Sequence, residues 1–315
     1  AVVDHQGGTE PREFQDVKAM GQLLERIDAV TQSDVHAQVA LVFDWENRWA
    51  IDDAQGPRNK GMHYVEQVQA HYRALWRMGI SVDIVDEECD ISGYKLVIAP
   101  MLYLLREGFE EKLKAFVDQG GTLIGTYHTG IVNDCDLTYL GGWPGAGLME
   151  VFGVWNEEID SLPDGVKNSV AMDGRSYDAF ELCARIHPIT AEVLGTYEKD
   201  FYAGEPAVTK NRFGSGAAYY IAARTGTDLL ADLYGGLISA LGIARAIDTA
   251  LPAGVTAHER IGENGAVVFV ENYNNAEETV ELPGGYELYG TGERVNSIKL
   301  APFGVAVLSL SLIHI

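Results

Sequence analysis

The sequence predicts an α/β protein: a doubly wound, largely parallel sheet flanked by helices, followed by a small antiparallel β-domain. Three observations carry that expectation. Val39 to Phe43 is a short, continuous apolar run with β-branched Val39 and Val42, the pattern of a strand buried on both faces. From there to about Ile247, strand-like and helix-like periods alternate. From Leu251 onward the period drops to two, with apolar and polar residues alternating between Gly and Asn turns.

Taken in order, Ala1 to Val3 reads as the end of a buried strand, so the chain is expected to begin inside a longer protein. A turn at Gly7 and Gly8 follows, then a helix with Thr9 as N-cap and Pro11 in its first turn. Phe14, Val17, Met20, Leu24 and Ile27 recur at helical spacing, and one strand plus one helix must dock on something else to bury that face. After the Val39 strand, the spacing predicts a helix over Gly61 to Met78, with Tyr64, Val68, Leu75 and Trp76 on one side and Gly79 as its stop. Strands are expected at Ser81 to Val85, Leu96 to Ala99 and Thr122 to Thr126, with a helix from about Glu107 to Gln119 before the last of them. Further strands at Ala179 to Arg185, Ala207 to Phe213 and Ala217 to Ile221 follow too closely for crossover helices, so the sheet should gain antiparallel members. A helix from Thr227 to Leu241 closes the domain. The β-domain strands are expected at Val255 to Ile261, Ala266 to Glu271, Thr279 to Leu282 and Gly304 to Leu310. Residues 311–315 fall outside the pattern and read as a cloning remnant.

Composition narrows the partners. In 315 residues, 46 acidic against 23 basic side chains give a net charge of −23, which repels phosphate backbones and anionic lipid, so neither nucleic acid nor membrane is an expected partner. No apolar stretch approaches the ~20 residues of a membrane span. Cys89, Cys135 and Cys183 are odd in number and form no paired spacing, which suggests a reducing, cytoplasmic setting and neither a metal nor a cofactor site.

The residues with chemical potential lie where chain order puts strand ends. Asp44, Trp45, Glu46, Asn47, Arg48 and Trp49 follow the first strand, at the end of a parallel sheet where ligands bind. They also suit a subunit contact. Tyr127 and His128 follow the Thr122 strand at the turn where class I glutamine amidotransferases carry a nucleophilic Cys. Cys135 comes about eight residues too late for that role, so the fold can be amidotransferase-like without the chemistry. His128 and Asp134 lack a nucleophile beside them. The stretch Gly141 to Gly147 has no Lys-Ser or Lys-Thr after it and is a shaped loop, not a phosphate cradle. Asp86, Glu87, Glu88 and Asp90 read as a solvated connector. His5, at the end of the opening strand, occupies a position where barrel enzymes place functional residues.

Ala1 to His5 leading into the helix around Phe14, Val42 to Ala50, Gly125 to Asn133, Leu140 to Gly145 and Glu181 to Pro188, in this order, resemble the glycoside hydrolase family 42 β-galactosidases. The resemblance covers nearly the whole chain. It implies that residues 1–33 are the C-terminal remnant of a (β/α)8 barrel, 34–250 an amidotransferase-like (flavodoxin-like) trimerisation domain, and 251–310 a small β-domain. It implies a parent enzyme that hydrolyses terminal non-reducing β-D-galactosides with retention, using two glutamates on earlier barrel strands. Neither glutamate has a counterpart in this chain, which is expected to be inactive alone and to form a homotrimer. Trp45, Glu46, Trp49 and His5 are then expected as cleft-wall or substrate-binding residues, although the family commonly carries Trp where this chain has Arg48. The alternative reading is a non-catalytic sugar-binding or assembly module on an amidotransferase-like fold.

Overall fold

The computed structural model describes residues 2–5, 7–58, 61–263 and 265–310, and the chain divides into two compact units, residues 37–245 and residues 1–36 with 246–315. Ala1, the first residue of the expected opening strand, and the expected remnant 311–315 lie outside the described residues.

The smaller unit begins with irregular Val2 and Val3, where a strand end was expected, and helix α1 (Arg12–Arg26). Pro11, not Thr9, is the N-cap, and no side chain caps the helix. The proline is suited to the position because the amide hydrogen it lacks would be unsatisfied there anyway. No residue of α1 is buried: Val17, Met20 and Leu24 keep their apolar stripe exposed. A short 3-10 helix, Asp28–Gln32, leads to a two-way backbone bridge between Asp34 and Ile261, with N–H···O distances of 2.9 and 2.8 Å. Arg260 reinforces it by donating from Nε to Ser33 Oγ at 3.1 Å and from Nη2 to the Ser33 carbonyl.

In the larger unit, β1 (Val39–Val42) lies between two parallel neighbours and all four of its residues are buried. Helices α2 (Trp45–Asp53) and α3 (Tyr64–Trp76) follow, then β2 (Val82–Val85), β3 (Leu96–Ala99) and the two-residue β4 (Leu104–Leu105). Helix α4 (Phe109–Asp118) starts at Gly108, whose φ of +85° only glycine adopts freely. It buries Phe109, Leu113, Phe116 and Val117, one face at helical spacing. Next come β5 (Thr122–Thr126), the two-residue β6 (Val132–Asn133) and the short α5 (Leu148–Phe152). The chain then runs through β7 (Val154–Ser161), β8 (Lys167–Met172), β9 (Arg175–Pro188), β10 (Glu192–Tyr197), β11 (Pro206–Phe213), β12 (Gly216–Ile221) and β13 (Ala223–Thr225) before α6 (Thr227–Ala240).

The sheet order is β13-β9-β8-β10-β11-β12-β5-β3-β1-β2, with β7 also pairing β9. The run β12-β5-β3-β1-β2 is parallel, and every pairing from β11 outward is antiparallel, so the unit is one mixed sheet. The expected antiparallel members are present. The sequence reading does not anticipate strands β7, β8 and β10: β7 carries three acids among its eight residues, and β10 exposes both Glu192 and Val193, so neither shows a clean period-two apolar face. Helices α3 and α6 are joined through fully buried His71, whose Nδ1 hydrogen-bonds the Tyr234 hydroxyl while Gln67 Nε2 donates to its Nε2 at 3.1 Å. Burial pushes the His71 imidazole down to about 3, so it stays neutral and can accept from Gln67.

The smaller unit resumes as a five-stranded antiparallel sheet, β14 (Val255–Gly262), β15 (Gly265–Asn272), β16 (Glu278–Leu288), β17 (Arg294–Leu300) and β18 (Val305–Leu310), in the order β14-β15-β18-β16-β17. Alternate residues bury Val255, Ala257, Val268, Val270, Val280 and Leu308, which is the period-two pattern read from sequence. β17 was missed because its sequence, Arg-Val-Asn-Ser-Ile-Lys-Leu, buries only Ile298 and Leu300.

Gly125 in β5 shows how closely the larger core is packed. A Cβ there would come within 2.4 Å of the Phe152 ring on α5. Gly125→Ala is therefore expected to lower unfolding free energy by about 1–3 kcal/mol through overpacking. Urea denaturation followed by circular dichroism measures it, and an unchanged midpoint would mean that α5 yields freely.

Candidate functional site

One buried carboxylate turns the carboxyl end of β1 into helix α2. Asp44 is extended (φ −116°, ψ 136°), and its Oδ1 accepts from the backbone N–H groups of Glu46 and Asn47 at 2.8 and 3.1 Å. It is thus the N-cap, and its negative charge faces the positive end of the helix. Asp44 has no solvent exposure, and a buried carboxylate requires a counter-charge. Arg106, which follows β4, supplies it from Nε, 3.1 Å from Asp44 Oδ2. The same guanidinium donates from Nη1 to Glu88 at 2.7 Å and places Nε 3.5 Å from Glu46.

Asn47, equally buried, ties this helix to the next strand ends. Its Nδ2 donates to the Met101 carbonyl at 3.0 Å and its Oδ1 accepts from Leu104 N–H at 2.9 Å. Met101, held at φ +45°, donates its own N–H to Thr126 Oγ1 at 2.8 Å. The ends of β1, β3 and β5 are therefore locked together by buried side-chain to backbone bonds.

On this base stand two indoles. Trp45 and Trp49, one helical turn apart, are 53% and 61% exposed, with ring centroids 6.3 Å apart. Phe43 meets Trp45 edge-on at 5.3 Å and stacks on Tyr64 at 5.5 Å, and the Tyr64 hydroxyl accepts from Asp44 N–H at 3.3 Å. Burial pushes the Tyr64 phenol up to about 12, so it remains protonated. Arg48 places its guanidinium 5.0 Å over the Trp45 ring and its Nε 3.6 Å from Asp52. Arg48 thus covers an indole face by a cation–π contact.

The structure brings Trp45, Glu46 and Trp49 together on α2, which replaces the loop expected after β1; the unread signal was Asp44, a strand-end Asp in N-cap position. His5 belongs to the other unit, on an exposed turn closed by Asp4 Oδ1 and the Gly8 N–H. His128 sits at the turn after β5 with φ +66°. It is buried against Tyr103, ring centroids 4.7 Å apart, and neither ring nitrogen has a hydrogen-bond partner. Burial pushes it down to about 4, so it is neutral, while Asp134 is exposed. Cys135 is also exposed, and the adjacent Asp134 carboxylate pushes its thiol up, away from a reactive thiolate. Cys183 is buried, which pushes its thiol up to about 12. The turn after β5 thus holds no nucleophile with a base.

The run Asp86 to Asp90 is not simply a solvated connector. Asp86 Oδ1 accepts from the N–H groups of Glu88 and Cys89 at 3.0 and 3.1 Å, and Lys112 Nζ donates to the Glu87 and Glu88 carbonyls at 3.0 and 2.8 Å. Glu87 is buried, with Oε2 accepting from Arg106 N–H at 2.8 Å. Burial first, and the neighbouring Asp44 charge next among the raising causes, push its carboxyl from 4.5 up to about 8. In the unfolded chain Glu87 ionises near 4.5, while in the fold it keeps its proton to about 8, so folding stability falls as pH rises through that window. Glu87→Gln is expected to stabilise the protein by a few kcal/mol, on the order of 3, near pH 8 and to have little effect below pH 4.5. Thermal melts of both proteins from pH 4 to 9 check this; a stabilisation independent of pH would contradict it.

Comparisons with known proteins bear on the family and the fold. A family model described as Beta-galactosidase trimerisation domain matches residues 37–244, and one described as Beta-galactosidase C-terminal domain matches 254–310. The chain is 46% identical to the β-galactosidase BglY of Alicyclobacillus acidocaldarius over 98% of its length, and 45% identical to the β-galactosidase Pbg of Clostridium perfringens over 98%. It spans about half the length of these relatives, 46% in each case. Among solved structures, the cold-adapted β-galactosidase from Rahnella sp. R3 superposes with a TM-score of 0.95 at 46% identity, over 99% of this chain and 46% of that one. Gan42B, a family 42 β-galactosidase from G. stearothermophilus, gives 0.95 at 39% identity, over 99% and 46%. The chain therefore belongs to the glycoside hydrolase family 42 β-galactosidases, of which it carries the trimerisation and C-terminal domains.

Proposed function

We propose that this chain is the non-catalytic portion of a retaining β-galactosidase acting on terminal non-reducing β-D-galactosides. Its larger unit holds three copies together and presents Trp45, Glu46 and Trp49 at the subunit contact that walls a neighbour's cleft. The observation that carries this reading is the pairing of two half-exposed indoles with a base of fully buried Asp44 and Asn47. A rigid, amphipathic aromatic pair loses little conformational entropy on binding, which is why Trp dominates interface energetics. The match to a trimerisation domain supports a three-fold assembly, and the strand run β12-β5-β3-β1-β2 with a sharp turn after β5 supports an amidotransferase-like origin without its nucleophile. Residues 1–33, with the unburied stripe of α1, fit a barrel remnant, and His5 fits a rim position in it.

In this reading the chain contributes no acid/base or nucleophile of its own, so the isolated chain is expected to show no turnover of a chromogenic β-galactoside. Turnover that disappears on changing a residue of this chain would contradict it. Trp45→Ala or Trp49→Ala is expected to weaken self-association by about 2 kcal/mol, roughly 30-fold, in sedimentation velocity. Unaltered sedimentation of both variants would remove the indoles from the contact. The exposed indoles also favour a second reading, a sugar-binding or assembly module in its own right. Galactose binding by the isolated chain, lost in the same two variants, would select it.

A further inference from the structure

A closed three-fold ring is built from heterologous contacts, in which one patch of each subunit meets a different patch of the next. The indole platform supplies only one region, so a second, complementary pair of surfaces is required. The larger unit offers both halves. On one side, β2 ends the sheet order, and among the described residues it pairs with β1 alone, which leaves its other edge without a strand there. Beside that edge runs an apolar groove of about 390 Å³ between β2 and α3, lined by Phe43, Val65, Val68, Tyr72, Val82 and Ile84. Ile84 and Tyr72 are exposed there, and Phe43 is the same ring that meets Trp45, so the groove is continuous with the platform. Arg73 and Arg77 extend its far end past Tyr72.

The other half is the loop after β6. Leu137 is 64% and Leu140 94% exposed, yet the loop that presents them is braced. Asn133 Oδ1 accepts from the N–H groups of Cys135 and Leu137 at 3.0 Å each, and Tyr139 N–H donates to the Ile131 carbonyl at 3.0 Å. Trp143, just beyond, bridges to Asn156 of β7 and packs on Leu104, Ile131 and Val132. A rigid loop that holds a leucine almost wholly in water, with exposed Asp134 and Asp136 beside it, is a knob in both shape and charge.

We infer that the Leu137–Leu140 loop of one subunit inserts into the Phe43–Tyr72–Ile84 groove of the next, with Asp134 and Asp136 facing Arg73 and Arg77. The occupant is a second copy of this chain because the charges are complementary within one sequence and the groove adjoins the proposed trimer contact. In a chain of net charge −23, two arginines at the end of an apolar groove select an acidic knob. The inference rests on the trimer reading above.

Sedimentation velocity of the full chain tests both. Wild type is expected to sediment as a trimer. Leu140→Asp, at a site with almost no packing to lose, is expected to weaken association at least about 30-fold with unchanged circular dichroism. Arg73→Glu with Arg77→Glu should weaken it likewise, and adding Asp134→Arg with Asp136→Arg should restore the trimer, a rescue that misfolding would not produce. A trimeric wild type with trimeric Leu140→Asp and Arg73→Glu/Arg77→Glu variants would overturn the knob-and-groove contact and leave the trimer reading standing. A monomeric wild type would overturn both.

Discussion

The Asp44–Arg106 ion pair is the constraint on which the carboxyl end of the parallel strands in the larger unit depends. Asp44 caps α2, and α2 alone aims Trp45 and Trp49 outward. Without a counter-charge, a carboxylate with no solvent exposure is costly to hold in the sheet end, and relieving that cost would loosen the cap. Arg106 meets that need while its backbone N–H holds Glu87 and its Nη1 holds Glu88. One guanidinium thus ties the ends of β1 and β2 to the start of α4. Asn47 performs the parallel task with neutral bonds, linking α2 to the Met101 and Leu104 backbone. Asn47 is bonded through both ends of its amide and Asp44 Oδ1 accepts twice, while Asp44 Oδ2 and Arg106 Nε meet as an ion pair only; together they fix the direction in which α2 presents its aromatic pair.

The charge balance of the chain acts at two scales. Overall, net −23 would make copies repel, so an assembly of three must rely on apolar contact and on local pairing of opposite charges. Locally, burial first, and then the nearby Asp44 and Glu46 charges, keep Glu87 protonated near neutrality against the opposing pull of Arg106. That proton spares the site a second buried anion next to Asp44.

Much of the fold was legible because its elements have single periods. β3 and β5 run from end to end as read, and α3, α4, α6 and β11 differ by a few terminal residues. The elements that the sequence does not reveal carry weak local signals. β7 and β10 are half-exposed sheet members whose pairing, not their composition, makes them strands. At the site, Trp45, Glu46 and Trp49 stood out by residue type, but Arg106, more than fifty residues later, has no local mark that ties it to Asp44. Glu87 looked solvated among its acidic neighbours because sequence shows charge and not depth. His5 stands out by its place after the opening apolar run, and the structure puts it on an exposed turn of the smaller unit.

Assembly through the larger unit is what gives the indole platform and its buried base a role. Light scattering coupled to size exclusion on the full chain measures it most directly. The account predicts a mass three times the 34.3 kDa of one chain, independent of dilution through the micromolar range. A mass of 34.3 kDa at every concentration would contradict it.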